Sequence, residues 1–406
     1  MISKEQIHLL KSKEVQQFIR ENEYIDEKKL VLNHRQTAGI STSILAEQII
    51  GRRKAREKLP QFYSTTGIVY PPVINLEQCS SEITALYKTE VITGHLGKDQ
   101  LTACADLTGG LGIDSLYWSK IFKKVVYVEP DETLLTIARH NHDLLDALNI
   151  QYLTETAESF LAHNKERFDL IFIDPSRRSS HNKKVFRLSD CSPNVVQLSS
   201  QLLAQAGLLM IKASPLLDLH QAMAELNHIV AIHIVSVNNE CKEVLFLCGL
   251  YLNREPVVVT VNLSNYMRQK FTFTFREERE SSSSFSGPAT YIYEPNASIM
   301  KGGAFKTIGN RFHLHKLHAN THLYTSADYV SEFPGRIFKL LQDIKPDRKT
   351  VAPYFPERKA NVITRNYPVT AVELKKKCGL ADGGDHYLIG CTSVAGKHVF
   401  VAERIQ

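Results

Sequence analysis

Between residues 100 and 250 short apolar runs alternate with helix-like stretches. The runs are LTACADL, KVVYVEP, IQYL, FDLIFIDP, GLLMIKASP, HIVAIHIVSV and EVLFLCGLYL. Short, nearly unbroken apolar runs bounded by turn residues are read as strands buried on both faces. Enough chain separates the first five for crossover helices, which predicts a parallel, doubly wound sheet. Only NNECK lies between the last two, so they are expected to pair antiparallel as a final hairpin. Upstream, residues 1 to about 90 read as helical. Leu9, Leu10, Val15, Phe18 and Ile19 recur at near-helical spacing, as do Ile40, Ile44, Leu45, Ile49 and Ile50, until Pro60 and Pro71-Pro72 break the pattern. Downstream, VVVTVNL and FTFTFRE alternate in the strand manner, and SSSSFSG at 281–287 reads as a flexible link or exposed loop. A mixture of strands and helices then closes with HYLIGCTS and KHVFVAE.

Composition adds bounds to that outline. A chain of 406 residues exceeds one ordinary core and predicts several domains. Apolar residues at 43% and charged residues at 23% are ordinary for a soluble globular protein. No apolar run approaches the roughly 18 residues a membrane span needs, and MISKEQIHLLKSKEVQQF lacks the features of a secretion signal. The seven Cys form no CxxC pair and are odd in number, which suggests reduced thiols and a cytoplasmic protein. A net charge of +6 permits a phosphate-rich partner without demanding one. The basic run GRRKAREKLP, with Arg52 and Arg53 at its head, is either a phosphate contact or a solvated helix face.

The strongest chemical signal is ACADLTGGLGIDS at 103–115. A strand ends in Asp106; Thr108, Gly109, Gly110, Leu111 and Gly112 follow, and then a helix starts. Glycines there let a ligand approach the backbone. A dinucleotide site would want GxGxxG, and Ser115 stands at the third glycine position. Glu129, before Pro130 at the tip of the next strand, is placed to accept both ribose hydroxyls of an adenosine, which suits NAD and S-adenosylmethionine alike. The Asp174-Pro175 corner ends the very apolar fourth strand, on the edge where open sheets bind ligands, and it favours methyl transfer. So does the final hairpin, because a dehydrogenase would build a second mononucleotide half instead.

The series DLTGGLG, VEPD, IDPSRR and a closing hairpin resembles class I S-adenosylmethionine-dependent methyltransferases over about residues 90–255. The resemblance implies that Asp106 holds the methionine amino group. It implies that Gly109, Gly110 and Gly112 pass beneath the methionine part and ribose, and that Glu129 binds the ribose. Thr156-Ala157-Glu158 falls in the region that touches the adenine, with Thr156 where the family often has Asp. Asp174, Pro175 and Ser176 resemble the Asp-Pro-Pro-aromatic motif of enzymes that methylate nucleobase nitrogens. In those enzymes the Asp orients the acceptor amino group. Here Ser176 stands at the second proline and Arg177 at the aromatic position, and Arg177 with the following Arg178 is suited to gripping a phosphate.

GRRKAREKLP, SSEITALYK, EPNASIMKGGAF and KANVITRNYP…DGGDHYLIG together resemble a bacterial group of such proteins, in which a ferredoxin-like and a THUMP-like domain follow the catalytic one. That implies an RNA target, tRNA or rRNA. The expected organisation is a helical N-terminal domain at 1–90 and a Rossmann-like methyltransferase domain at 91–274, followed by a ferredoxin-like domain at 275–330 and a THUMP-like domain at 331–406. The expected activity is methyl transfer from S-adenosylmethionine to RNA. The alternatives are an RNA-binding or assembly factor that keeps the cofactor fold without turnover and, more remotely, a nicotinamide-dependent oxidoreductase. No metal is expected: His313, His315, His318 and His322 match no usual zinc spacing, and His140 and His142 are too close along one helix to share an ion. Trp118 and Tyr117 are expected to pack rather than to stack on a base. The oligomeric state is not legible in the sequence.

Overall fold

The computed structural model describes residues 4–26, 36–37, 39–177, 187–250 and 255–406. Packing divides the chain into two units. One holds residues 1–230 and 245–254, the other residues 231–244 and 255–406.

The first unit opens with helices α1 (Lys4–Leu10), α2 (Lys13–Glu21), α3 (Thr42–Lys58), α4 (Pro60–Ser64), α5 (Val73–Gln78) and α6 (Glu82–His95). It continues with β1 (Ala103–Asp106), α7 (Ile113–Ser119), β2 (Lys124–Val128), α8 (Glu132–Leu144), β3 (Ile150–Leu153), α9 (Ala157–His163) and β4 (Phe168–Ile173). Then come α10 (Val195–Gln205), β5 (Ala206–Ala213) and α11 (Leu219–Glu225). A final hairpin joins β6 (Ile229–Val237) to β7 (Glu240–Cys248) and is shared out between the units.

The strand order is β3-β2-β1-β4-β5-β7, and β1 to β5 are mutually parallel, as the alternation of apolar runs predicts. Order reverses between β1 and β4, so the crevice beyond those two strand ends is the expected binding edge. Helix starts are written in the sequence: Asp131, Thr156 and Asn194 each accept a backbone N–H of the first turn of α8, α9 and α10. The hairpin turns on Asn238 and Asn239, both at positive φ, which Asn tolerates best among residues with a side chain.

The N-terminal helices pack within this same unit. Two buried amides clip the extended segment Ile68–Tyr70 between them: Gln48 on α3 brackets the Tyr70 peptide and Asn141 on α8 that of Val69. Each amide donates to a carbonyl and accepts from an N–H, so the segment is satisfied as a strand would be. Trp118 is fully buried against Phe122 and Phe172, a packing role as expected.

In the second unit β8 (Val257–Leu263) runs parallel to β6, and β9 (Arg268–Thr274) pairs antiparallel with β8, giving the order β9-β8-β6-β7. FTFTFRE is strand only through Thr274. There the hydroxyl caps Glu277 and starts α12 (Phe275–Glu280).

A seven-stranded sheet follows in the same unit. It contains β10 (Tyr291–Pro295), β11 (His315–His318), β12 (Thr321–Ser326), β13 (Gly335–Asp343), β14 (Lys359–Arg365), β15 (Ala381–Ser393) and β16 (Gly396–Arg404), in the order β11-β12-β10-β13-β16-β15-β14. Helices α13 (Ala297–Gly302), α14 (Thr307–Arg311), α15 (Arg348–Val351) and α16 (Ala371–Cys378) connect its strands.

One expectation changes here. The serine tract is no free link, because Ser284 and Ser286 exchange backbone hydrogen bonds with Lys316 and the Ser284 hydroxyl meets His315. Local composition reads Ser runs as loops, but an open strand edge offers the backbone partners that composition does not encode.

Candidate cofactor and acceptor site

The glycine loop is stitched to the two strands that flank β1. The amide of Leu107 donates to Phe172 O on β4 at 3.0 Å, and that of Gly109 to Val128 O on β2 at 2.9 Å. The amide of Asp174 donates to the Thr108 hydroxyl at 2.7 Å. Two glycines are forced by what lies beneath them. A Cβ on Gly109 would come 2.2 Å from the Tyr127 ring, and one on Gly112, at φ 78°, would come 2.5 Å from the His142 ring. Gly110, at φ 56°, differs: a Cβ there would meet nothing nearer than Thr108 O at 3.9 Å, so its outer face is open. Tyr127 donates its hydroxyl to Gly110 O at 2.6 Å, fixing the peptide from below.

Two acidic strand tips flank this loop. Asp106, 1% exposed, accepts from the Thr108 amide at 3.1 Å and from the Ser115 hydroxyl at 2.6 Å. Ser115, which breaks the dinucleotide pattern, is therefore the clamp of Asp106. Burial pushes the Asp106 carboxyl up to about 7 against the Ser115 bond, and among the described residues no cation pairs with it. Glu129 accepts from the Gly110 and Asp131 amides, each at 2.9 Å, and burial raises its pKa. An ionised carboxylate has about four lone-pair sites. Each of these uses two, so each retains acceptor capacity for an ammonium or a pair of hydroxyls. With the open backbone at Gly110, the residues fit S-adenosylmethionine.

His142 props the loop. Its Nε2–H donates to Gly112 O and its Nδ1 accepts the Tyr152 hydroxyl, each at 2.9 Å; the carbonyl, which can only accept, fixes this tautomer. Burial lowers its pKa to about 4.

Two lysines missing from the sequence reading belong here. Lys212, near the end of β5 and 9% exposed, forms an ion pair with the Asp174 carboxylate. Lys88 on α6, fully buried, binds Asp114 at 3.0 Å and Ser80 at 2.9 Å, while Ser80 donates to Asp114 at 2.6 Å. Burial would raise Asp114, but Lys88, then Lys212 and Ser80, outweigh it and hold the carboxyl below its usual range. Both lysines carried a readable signal: a lone cation within an apolar strand (GLLMIKASP) and on an apolar helix face (ITALYKTEV).

The remaining predicted residues scatter. Pro175 is half-buried, and exposed Ser176 donates to Ser192 O at 3.3 Å. Arg177 pairs through its backbone with Cys191, and Arg178 lies outside the described residues. Ala157 is buried in the first turn of α9, where Thr156 caps the helix and Glu158 and Pro130 are exposed. Arg52 and Arg53 are not gathered to the loop. Arg52 pairs with Glu23 at 2.8 Å, donates to Tyr63 O at 3.0 Å and stacks over the Tyr63 ring; Arg53 donates to the carbonyls of Glu23 and Ile25. Their guanidinium groups tie α3 to the segment after α2, so these two arginines form neither the phosphate contact nor the solvated helix face expected of that run.

Residues 291–334 match a family of ferredoxin-like domains, and residues 335–404 a family of THUMP-like domains. The two segments share one sheet, since β10 pairs with β13. No curated protein matches the chain. Among solved structures, a methyltransferase-like protein of Porphyromonas gingivalis W83 is 30% identical over 100% of both chains, with a TM-score of 0.84. The chain belongs to this family of class I methyltransferase-like proteins. Two further structures match part of this family member. A methyltransferase-like protein of Streptococcus mutans with SAH is 13% identical, spanning 40% of this chain and 97% of its own, at a TM-score of 0.29. An rRNA methylase of Streptococcus thermophilus is 14% identical, spanning 41% and 97%, at a TM-score of 0.30. No helix among the described residues of this methyltransferase-like chain is long and apolar enough to cross a membrane.

Proposed function

We propose that the chain transfers a methyl group from S-adenosylmethionine to a base of structured RNA. The observation that carries the reading is the bond between the Asp174 amide and the Thr108 hydroxyl, 2.7 Å long, which ties the Asp-Pro corner directly to the glycine loop. Asp106 would take the methionine ammonium and Glu129 the ribose hydroxyls, over the open backbone of Gly110. The cofactor supplies an electrophilic methyl on a good leaving group, so the protein's work is chiefly positioning. Asp174, held by Lys212 at the end of the neighbouring strand, accepts a hydrogen bond from the acceptor N–H and so sets its lone pair toward the methyl. The acceptor would gain the methyl as the methyl–sulfur bond breaks, releasing S-adenosylhomocysteine, and the acceptor's proton would leave to solvent. The THUMP-like match supports an RNA target.

The test is incubation of the pure protein with labelled S-adenosylmethionine and total RNA from a strain lacking the gene. Label in one RNA fraction is expected; label only in protein or small molecules would defeat the RNA reading. One observation favours a second reading, a binding factor without turnover: the Asp106 carboxyl is only 1% exposed. Calorimetry that detects no S-adenosylmethionine binding would select it.

A further inference from the structure

We propose that the second unit carries a nucleotide pocket of its own, which takes an unpaired base of an RNA strand. A cavity of about 540 Å³ opens there between the β6–β7 turn, the β8–β9 turn, the start of β13 and the end of β16. That volume lies within the range of small-molecule sites. Its lining is unusual in chemistry: four Asn and one Gln side chains, a second Gln at 406, two Arg, and no Asp or Glu. The amides form a connected row. The Asn239 backbone amide donates to Asn262 Oδ1 at 2.8 Å, Asn262 and Asn296 donate to Gln269 Oε1 at 3.5 and 3.2 Å, and Gln269 donates to Gly335 O at 3.1 Å.

The row is rigid, yet it leaves groups to spare. Among the described residues, the Asn238 side-chain amide and Asn239 Nδ2 have no partner, while Asn239 Oδ1 is taken by the Ala297 amide at 2.7 Å. The Asn239 amide, anchored through Oδ1, offers a held donor, and exposed Asn238 beside it can turn either its oxygen or its nitrogen to a nucleobase edge. Beside them stands Tyr266, 99% exposed, on a turn pinned by reciprocal Ser264–Met267 bonds at 3.0 Å. An aromatic ring held out on a fixed turn is a stacking surface for a base. Arg336 shares the single Glu294 carboxylate with Arg365, and exposed Arg404, whose Nε donates to Gln406 O at 2.8 Å, stands at the rim as the cation for a phosphate. An anionic ligand with a planar, hydrogen-bonding ring matches all three features. The choice of RNA among carriers of bases rests on the function proposed above.

The experiment uses the full chain and a fluorescein-labelled, single-stranded 12-nucleotide RNA of mixed sequence, read by anisotropy. Tyr266→Ala removes a side chain with no packing role and is expected to weaken binding about tenfold. Arg404→Ala is expected to lower the salt dependence by about one phosphate contact. Photocrosslinks from 4-thiouridine should map to Tyr266 or Met267. Binding within twofold of the unaltered protein in both variants, or crosslinks confined to other segments, would overturn the pocket and leave the methyl-transfer reading standing. Failure of this RNA to bind at all also overturns it, whereas labelling of total RNA by S-adenosylmethionine is read separately and fails on its own terms.

Discussion

Asp106 and Asp114 lie eight positions apart, one just before the glycine loop and the other in the first turn of the helix that follows it, and both are buried, at 1% and 8% exposure. Their surroundings differ in one respect. Around Asp114 the fold supplies a buried ammonium and a hydroxyl from α6 and its approach, and the carboxyl is held below its usual range. Around Asp106 it supplies an amide and a hydroxyl but no cation among the described residues, and the carboxyl sits at about 7. Burying an uncompensated carboxylate is unfavourable, and such a group persists where it has a task. Asp114 is a completed structural pair; Asp106 is a pair lacking its cation, as a site for an ammonium-bearing ligand would be.

The largest effect should come from breaking the completed pair. Lys88→Met leaves Asp114 charged and dry, and is expected to lower unfolding free energy by about 3–5 kcal/mol, read by urea denaturation. Adding Asp114→Asn to it should recover a large part of that loss; no recovery would mean that Lys88 acts through packing alone.

Next comes the cation that joins the two regions. Lys212 pairs with Asp174 and also depresses Asp114. Lys212→Met should slow methyl transfer about a hundredfold, roughly 2.7 kcal/mol in the barrier, while S-adenosylhomocysteine affinity stays within threefold. A variant that loses cofactor affinity and rate equally would place Lys212 in the cofactor site instead.

An effect of opposite sign is expected at Asp106. Its carboxyl, raised from 3.8 to about 7, stays protonated in the fold after the unfolded chain has ionised. Its contribution is therefore full below about 3.8 and is lost as pH rises through 7. Asp106→Asn can still accept from the Thr108 amide and donate to Ser115. The variant should be more stable than the parent by about 4 kcal/mol at pH 8 and equal to it near pH 4, while cofactor binding disappears. His142 runs the other way: lowered from 6.5 to about 4, it contributes fully above 6.5 and its contribution is lost as pH falls toward 4. Melting temperatures of the Asn variant should therefore rise with pH across that window. A curve that falls would assign the titration to other groups.

How much of this the sequence shows follows from how each feature is encoded. The parallel core and the hairpin are legible because burial on both faces writes continuous apolar runs, and because two Asn in five residues leave no room for a helix. The loop is legible because Gly109 and Gly112 are glycines for steric reasons that leave no substitute. Lys88 and Lys212 were passed over because a cation's meaning depends on a carboxylate distant in the chain; Asp114 is 26 positions from Lys88. The same long-range dependence explains Arg52 and Arg53. Their clustering suggested a phosphate, but a tertiary partner, Glu23, had already claimed them. Charge in sequence is a count of donors, and only the fold says which are spent.

The finest probe of the contrast is cofactor affinity against pH. If Asp106 receives the methionine ammonium, it must be ionised to do so, and with its carboxyl at about 7 that ionisation is incomplete at neutral pH. Binding then expels a proton. Between pH 6 and 8 the ionised fraction rises by about tenfold, so S-adenosylhomocysteine affinity should rise by about the same factor, roughly 1.4 kcal/mol. Calorimetry in two buffers of different ionisation heat would count the proton directly. Asp114 cannot mimic this response, because Lys88 already holds it ionised throughout that range. A flat profile with tight binding would mean that the ammonium is received elsewhere, and Asp106 would revert to a capping residue for the loop and Ser115.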